Sequence, residues 1–378
     1  MKRAVLAILL LALPGTIFAR DFHSVPTVAC AAFSRSGDLG AASFAGGSLT
    51  LHISSSSSAV YTLSRHSSLP AETCRAYFST DTRLLAVVLH AGSGTSQRVE
   101  IDFADPATGK WLSSAPVVPH LPTLNRGFVA GFLGDTHNLV ILNTGVYYKD
   151  TNSTTLFPVT LKFSSTGKPI SWSTDILAAP GKFFNPNHGN VDTVHNRLWA
   201  RTSAGDCGLR SATLVSVPGP ALLVDGDRLR RAGCYFPDEI ATSGRDTVVI
   251  GSRTTKTIRL WLVDPASGNL QQLSFPVTVP GGWYSFAGKM SVSPDGTVLA
   301  VPVTKITPGR YGKLNSSFQV AIVQLHPFRI AYILDTHSPT PASTVAVNYY
   351  NGKVYLALFL NGKWLNEVYS EPHFSEPR

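Results

Sequence analysis

A strand–turn–strand phrase recurs along this chain about every 40–55 residues, a spacing that belongs to repeat architectures. Seven copies can be read. The clearest is Ser293-Pro294-Asp295-Gly296 followed by Thr297-Val298-Leu299-Ala300-Val301. Ser79-Thr80-Asp81-Thr82-Arg83 followed by Leu84-Leu85-Ala86-Val87-Val88 is the next. A second turn recurs at a later phase, as Asp105-Pro106-Ala107-Thr108-Gly109 and as Asp264-Pro265-Ala266-Ser267-Gly268. Pro presets φ at the second position of such a turn and Gly accepts positive φ at its end, so the chain reverses tightly. Between the turns lie short apolar or alternating runs. Val99-Glu100-Ile101-Asp102-Phe103 alternates as a half-buried strand does. Two turn types at equivalent phases of an all-β chain predict a β-propeller with one four-stranded blade per repeat.

The repeats run near residues 30–64, 74–112, 128–172, 191–224, 234–273, 289–334 and 344–369. The predicted fold is all-β: a single seven-bladed propeller of antiparallel blades over residues 20–378. Length alone would allow two or three domains. A closed ring takes the whole chain as one unit, and a hydrophobic fraction of 44% supplies its core. Thirty-one Gly and twenty-five Pro suit many short strands joined by turns. The seventh repeat ends near Tyr369, one strand short. The apolar segment Phe22–Val28 is predicted to supply the missing outer strand and clip the ring shut.

Residues 1–19 read as a secretory signal peptide. Lys2 and Arg3 precede the apolar run Ala4 to Leu13, Pro14 and Gly15 break it, and Ala19 is a small residue at the cleavage point. The run is too short to span a bilayer. The expected location is therefore exported, periplasmic or extracellular, with no integral membrane segment after signal removal. Losing Lys2 and Arg3 lowers the net charge from +9 to +7. That balance suits acidic polymers or surfaces, while export argues against nucleic acid. Cys30, Cys74, Cys207 and Cys234 form an even set in an exported chain, which favours disulfides.

The segments Ser293 to Val301 and Leu262-Val263-Asp264-Pro265-Ala266-Ser267-Gly268-Asn269-Leu270 resemble the repeats of YVTN-type and TolB-like bacterial propellers, which are similar in architecture to WD-repeat proteins. The resemblance covers Cys30 to Tyr369. It lacks the Trp-Asp dipeptide of WD repeats, and its matching positions are turn and strand residues. It implies an architecture and carries no catalytic residue.

Strand order sorts the loops onto two faces. On one, Asp38, Asp81, Asp105, Asp135, Asp264 and Asp295 sit in turns, where carboxylates bond nearby backbone. On the other, called the top, the loops carry Arg65, Arg126, His188, Arg210, Arg228, Arg230, Arg231, Arg253 and Arg310, with Trp283 and Tyr284 as an aromatic pair. Arg in a rigid loop suits carboxylate or phosphate, because its planar fork makes two hydrogen bonds. The same phasing places Cys207 and Cys234 together on the top face of neighbouring blades. Cys30 and Cys74 sit where the inner strands of the first two blades begin. The predicted pairs are Cys207–Cys234 and Cys30–Cys74. His188, Asp192 and His195 flank a predicted strand and do not form a metal set, and Ser203 to Gly208 lacks a nucleophile elbow. No metal or cofactor is expected. The functional expectation is an exported binding scaffold that engages a protein or an acidic glycan through its top loops. The alternative is a propeller enzyme, such as a lactonase-like hydrolase or a quinone- or metal-dependent oxidoreductase.

Overall fold

The computed structural model describes residues 27–370, apart from 56–58, 93–97, 119–127, 133–137, 149, 151–152, 164–168, 175–176, 181–189, 193–196, 202–208, 214–221, 225–230, 232–235, 243–247, 254–256, 265–266, 268, 277–279 and 311–312. Among the described residues the strands fall into seven antiparallel sheets, taken in chain order. The first holds β1 (Val28–Phe33), β2 (Leu39–Ala45), β3 (Ser48–Ser54) and β4 (Val60–His66). The second holds β5 (Thr73–Phe78), β6 (Leu85–Ala91), β7 (Arg98–Asp105) and β8 (Lys110–Trp111). The third holds β9 (Phe128–Phe132), β10 (Leu139–Tyr148), β11 (Ser153–Phe163) and β12 (Pro169–Thr174), with β13 (Leu177–Pro180) also on β11. The fourth holds β14 (Asn190–Asp192), β15 (Arg197–Arg201), β16 (Leu209–Thr213) and β17 (Leu222–Val224). The fifth holds β18 (Phe236–Thr242), β19 (Val248–Arg253), β20 (Ile258–Val263) and β21 (Leu270–Ser274). In the sixth, β22 (Trp283–Phe286) and β23 (Ser291–Val292) both pair with β24 (Val298–Pro308), followed by β25 (Leu314–Gln324) and β26 (Arg329–Asp335). The seventh holds β27 (Thr344–Tyr350), β28 (Lys353–Leu360) and β29 (Lys363–Ser370). Apart from β12 with β13 and β22 with β23, consecutive strands of a sheet pair with each other, so each repeat is a local meander. This is the arrangement of a β-propeller.

The turn between the first and second strands repeats one piece of hydrogen-bond chemistry. Ser34, Ser79 and Ser293 are all buried there. Ser293 Oγ donates to Asp295 Oδ1 at 2.5 Å and accepts from the Val298 amide at 3.0 Å. Ser79 Oγ donates to Asp81 Oδ1 at 2.7 Å and accepts from the Leu84 amide at 2.9 Å. Ser34 Oγ does the same with Asp38 Oδ2 and the Asp38 amide, both at 2.9 Å. The hydroxyl thus satisfies an amide that the reversing chain would otherwise bury unpaired. Ser293→Ala is expected to cost about 1–3 kcal/mol, the usual penalty for such an orphaned donor. A denaturant titration of the variant checks it, and an unchanged midpoint counts against this role.

The sheets pack face to face through apolar side chains. Leu49, Leu51 and Ile53 of β3 meet Leu85, Val87 and Leu89 of β6. The opposite face of the second sheet, with Val88, Ile101 and Phe103, packs on Phe132, Leu139 and Ile141 of the third. Because the second sheet is covered on both faces, alternation along its strands does not mark a wet side. Glu100 and Asp102 correct the half-buried reading of β7: they are 7% and 0% exposed. The expected outer strand at Phe22–Val28 is corrected at its end. Val28 belongs to β1, opposite Phe44, and residues 22–26 lie outside the described residues.

First strands pack on first strands. β1 lies against β5, β5 against β9, β9 against β14, β14 against β18, β18 against β23 and β23 against β27. β27 lies against β1, where Thr344 Oγ1 donates to the Ala29 carbonyl at 2.7 Å and Asn348 Nδ2 to the Ser34 carbonyl at 3.4 Å. Cys30 and Cys74 form the expected disulfide, joining β1 to β5 with their Cα atoms 5.3 Å apart. Cys207 and Cys234 lie outside the described residues.

Candidate functional site: the mouth of the axial channel

A meander alternates strand direction. The starts of the first strands, the hairpins between second and third strands, and the ends of the fourth strands therefore share one face. On that face the first strands enclose a cavity of about 550 Å³. Its wall carries Glu72, Thr73 and Arg75 at the start of the second sheet, Lys289 from the sixth, and Ser343 and Thr344 from the seventh. Further along the axis a second cavity, of about 260 Å³, shares Ala31, Ala76, Tyr77, Met290 and Ser291 with the first. The second cavity carries one charged residue, Arg35, and the first carries Glu72, Arg75 and Lys289. Glu72, Lys289 and Ser343 are exposed there, and Arg75 is half-buried. The fields of this rim reach His90 on β6. Burial holds its imidazole below the usual value, Glu72 raises it and Arg75 lowers it.

The residues expected at the top face divide into several groups. Arg126, His188, Arg228 and Arg230 lie outside the described residues, as do Asp135 and His195. Arg210 falls in β16 and Arg253 in β19. Arg231 and Arg310 are exposed, and Trp283 is half-buried. Two expectations are corrected. Tyr284 is only 4% exposed and packs edge-on against Phe275, with ring centroids 5.5 Å apart, so it belongs to the contact between the fifth and sixth sheets. Arg65 is committed to the contact between the first and second sheets. Its guanidinium donates to Asp102 and to the Ser113 carbonyl, and lies 4.8 Å from the centroid of the Trp111 ring. Beside it Ser67 Oγ donates to Glu100 Oε2 at 2.5 Å. Burial pushes the Asp102 carboxyl above its usual value, Arg65 pulls it down, and Glu100 adds to the rise.

Sequence reasoning missed Glu72, Arg75 and Lys289. Their signal lay in strand phasing, since the residues just before and within a first strand line the axis. The bottom turns match expectation more closely. Asp105 accepts from the Ala107 amide at 2.9 Å and from Thr108 Oγ1 at 2.7 Å. Among the described residues, no three of His, Cys, Asp and Glu gather where they could share a metal ion. No helix among them is long and apolar enough to cross a membrane.

No family model matches the chain, and no curated protein matches it. Solved structures do align. One titled "Structure of Dos1 propeller" covers 91% of this chain and 91% of its own at 14% identity, with a TM-score of 0.46. An uncharacterized protein, lmo1340 of Listeria monocytogenes EGD-e, covers 90% and 93% at 7% identity, with a TM-score of 0.43. Hydrazine synthase of Kuenenia stuttgartiensis covers 74% and 72% at 14% identity, with a TM-score of 0.45.

Proposed function

We propose that this chain is an exported, non-enzymatic propeller of seven blades, closed between β27 and β1, that binds an acidic partner on the face where its first strands begin. The partner is a protein or an acidic glycan. Among the described residues no strand pairs with the outer edge of β29; it is the place for a fourth strand, and the chain ahead of Thr27 is its proposed source. The disulfide between Cys30 and Cys74 agrees with an oxidising compartment.

The observation that carries the binding reading is the set of exposed cations on the near face. At the far end Arg35, Arg83, Lys110 and Lys353 are exposed too, beside the turn carboxylates of Asp38, Asp81, Asp105, Asp264 and Asp295, each of which accepts hydrogen bonds from its own turn. At the near end Arg98, Arg231, Lys289, Arg310, Lys313 and Lys363 are exposed, against Glu72, Asp150 and Asp335. Arg310 and Lys313 stand at the tip of the β24–β25 hairpin, whose strands run eleven residues each and project beyond their neighbours. A cationic rim around an axial opening attracts polyanions over about a Debye length, roughly 8–10 Å at physiological salt.

Retention on immobilised polygalacturonate, followed by salt elution, tests the reading. The wild-type protein is expected to bind and to elute as salt rises. Reversing Arg228, Arg230 and Arg231 to Glu together is expected to abolish retention. Unchanged retention of the triple variant would refute a charge-driven face.

A further inference from the structure

We infer that the channel mouth is a subsite for one acidic sugar unit, with the carboxylate of a terminal uronic acid held by Arg75 and Lys289. This rests on the acidic-partner reading above and adds to it a ligand class and a position.

The first strand of the sixth sheet is broken at the rim. Phe286 pairs with Val303 and Ser291 with Ala300, so the four residues Ala287 to Met290 face only Val301 and Pro302. Such a bulge re-aims a side chain out of the pleat, and bulges concentrate at barrel rims and beside functional sites. This one is held firmly. The Ala287 amide donates to the Pro302 carbonyl at 3.0 Å. Pro302, which has no amide proton to offer the bulged strand, sits where a ladder bond is missing anyway. A Cβ on Gly288 would come within 3.2 Å of the Ala342 carbonyl, so the bulge is seated against the approach to β27. Its product is Lys289, exposed and lining the same cavity as Arg75 of β5.

The chemistry of the wall selects the ligand. Two cations suit one carboxylate, and Arg supplies a planar fork for it. Glu72 is an acceptor, which matches sugar hydroxyls and would repel a second carboxylate. Thr73 and Ser343 add hydroxyls that both donate and accept. About 550 Å³ lies in the range of small-molecule sites, roughly 300–1,000 Å³.

Calorimetric titration with monomeric galacturonate, and with neutral galactose as control, tests this. The wild-type protein is expected to bind galacturonate and not galactose. Lys289→Met is expected to weaken galacturonate binding at least about tenfold, the effect of losing one charge-assisted contact. Deleting Gly288 and Lys289, which removes the bulge, is expected to give the same loss, and circular dichroism reports whether that variant folds. The denaturant midpoint of the Met variant separates a loss of binding from a loss of stability. If polygalacturonate is retained while the monomer gives no signal, the subsite is wrong and the acidic face stands. An unaltered affinity of the Lys289→Met variant overturns the subsite as well. If neither polymer nor monomer binds, both readings fall.

Discussion

Arg65→Met is expected to lower stability by about 3–5 kcal/mol, the cost of leaving a buried charge without its partner. The variant keeps the bulk of the side chain and removes the guanidinium from Asp102 and from the Ser113 carbonyl. Asp102 is then a carboxylate at 0% exposure with Glu100 beside it. Denaturant unfolding measures the change, and a loss below about 1 kcal/mol would show that the pair is dispensable. Asp102→Asn is expected to cost less, about 1–2 kcal/mol, because an amide oxygen still accepts from Arg65. Replacing both partners, Arg65→Met with Asp102→Leu, is expected to recover much of the loss, since no charge is then desolvated.

The pH dependence has a definite sign. Desolvation raises the Asp102 carboxyl above its ordinary 3.8, and Arg65 offsets this only in part. The folded chain therefore binds more protons than the unfolded chain in the window just above that value. The contribution of Asp102 is fully present below its unfolded value and declines as pH rises through the folded one. Asp102→Asn is expected to flatten stability against pH in that window. An unchanged slope would place the effect on another group.

Gly109→Ala is expected to cost about 2–4 kcal/mol, combining a left-handed backbone penalty with overpacking. Gly109 has φ of +60°, and a Cβ there would fall 2.2 Å from Cγ and 2.6 Å from Cβ of Tyr61. Atoms that close to the root of a side chain cannot swing away without moving β4. Tyr61 is also fixed at its far end, where its hydroxyl donates to the Ala107 carbonyl at 3.1 Å. Gly46 is the control. Its φ is +57° and a Cβ there meets nothing within 4 Å. Gly46→Ala is expected to cost only the backbone share, about 1 kcal/mol. Equal losses at the two positions would show that the contact with Tyr61 carries nothing.

What could be read in the sequence was local chemistry with a fixed spacing. Ser293, Asp295 and Gly296 write their turn within five residues, and Asp105 with Gly109 does the same. The pairing of Cys30 with Cys74 followed from placing both where adjacent inner strands begin. What could not be read depends on coverage from another repeat. Glu100 and Asp102 look like the wet face of β7, but their burial is decided by the first sheet. Their partners Ser67 and Arg65 lie 33 and 37 residues away. Tyr284 stands beside Trp283 in sequence, yet Phe275 claims it for the interior. Lys289 carried no motif; its one local sign was Pro302, a residue that does not belong in an unbroken central strand.

The bulge at Ala287–Met290 also separates two kinds of change. β24 pairs with β25 in unbroken register from Val298 to Pro308, whatever the first strand does on its other side. Residues gained or lost within the bulge alter the rim of the opening and leave that long ladder in place. Under the proposed subsite, indels at Gly288 and Lys289 are thus the changes that would alter ligand preference while the β24–β25 ladder and the buried Met290 stay in place.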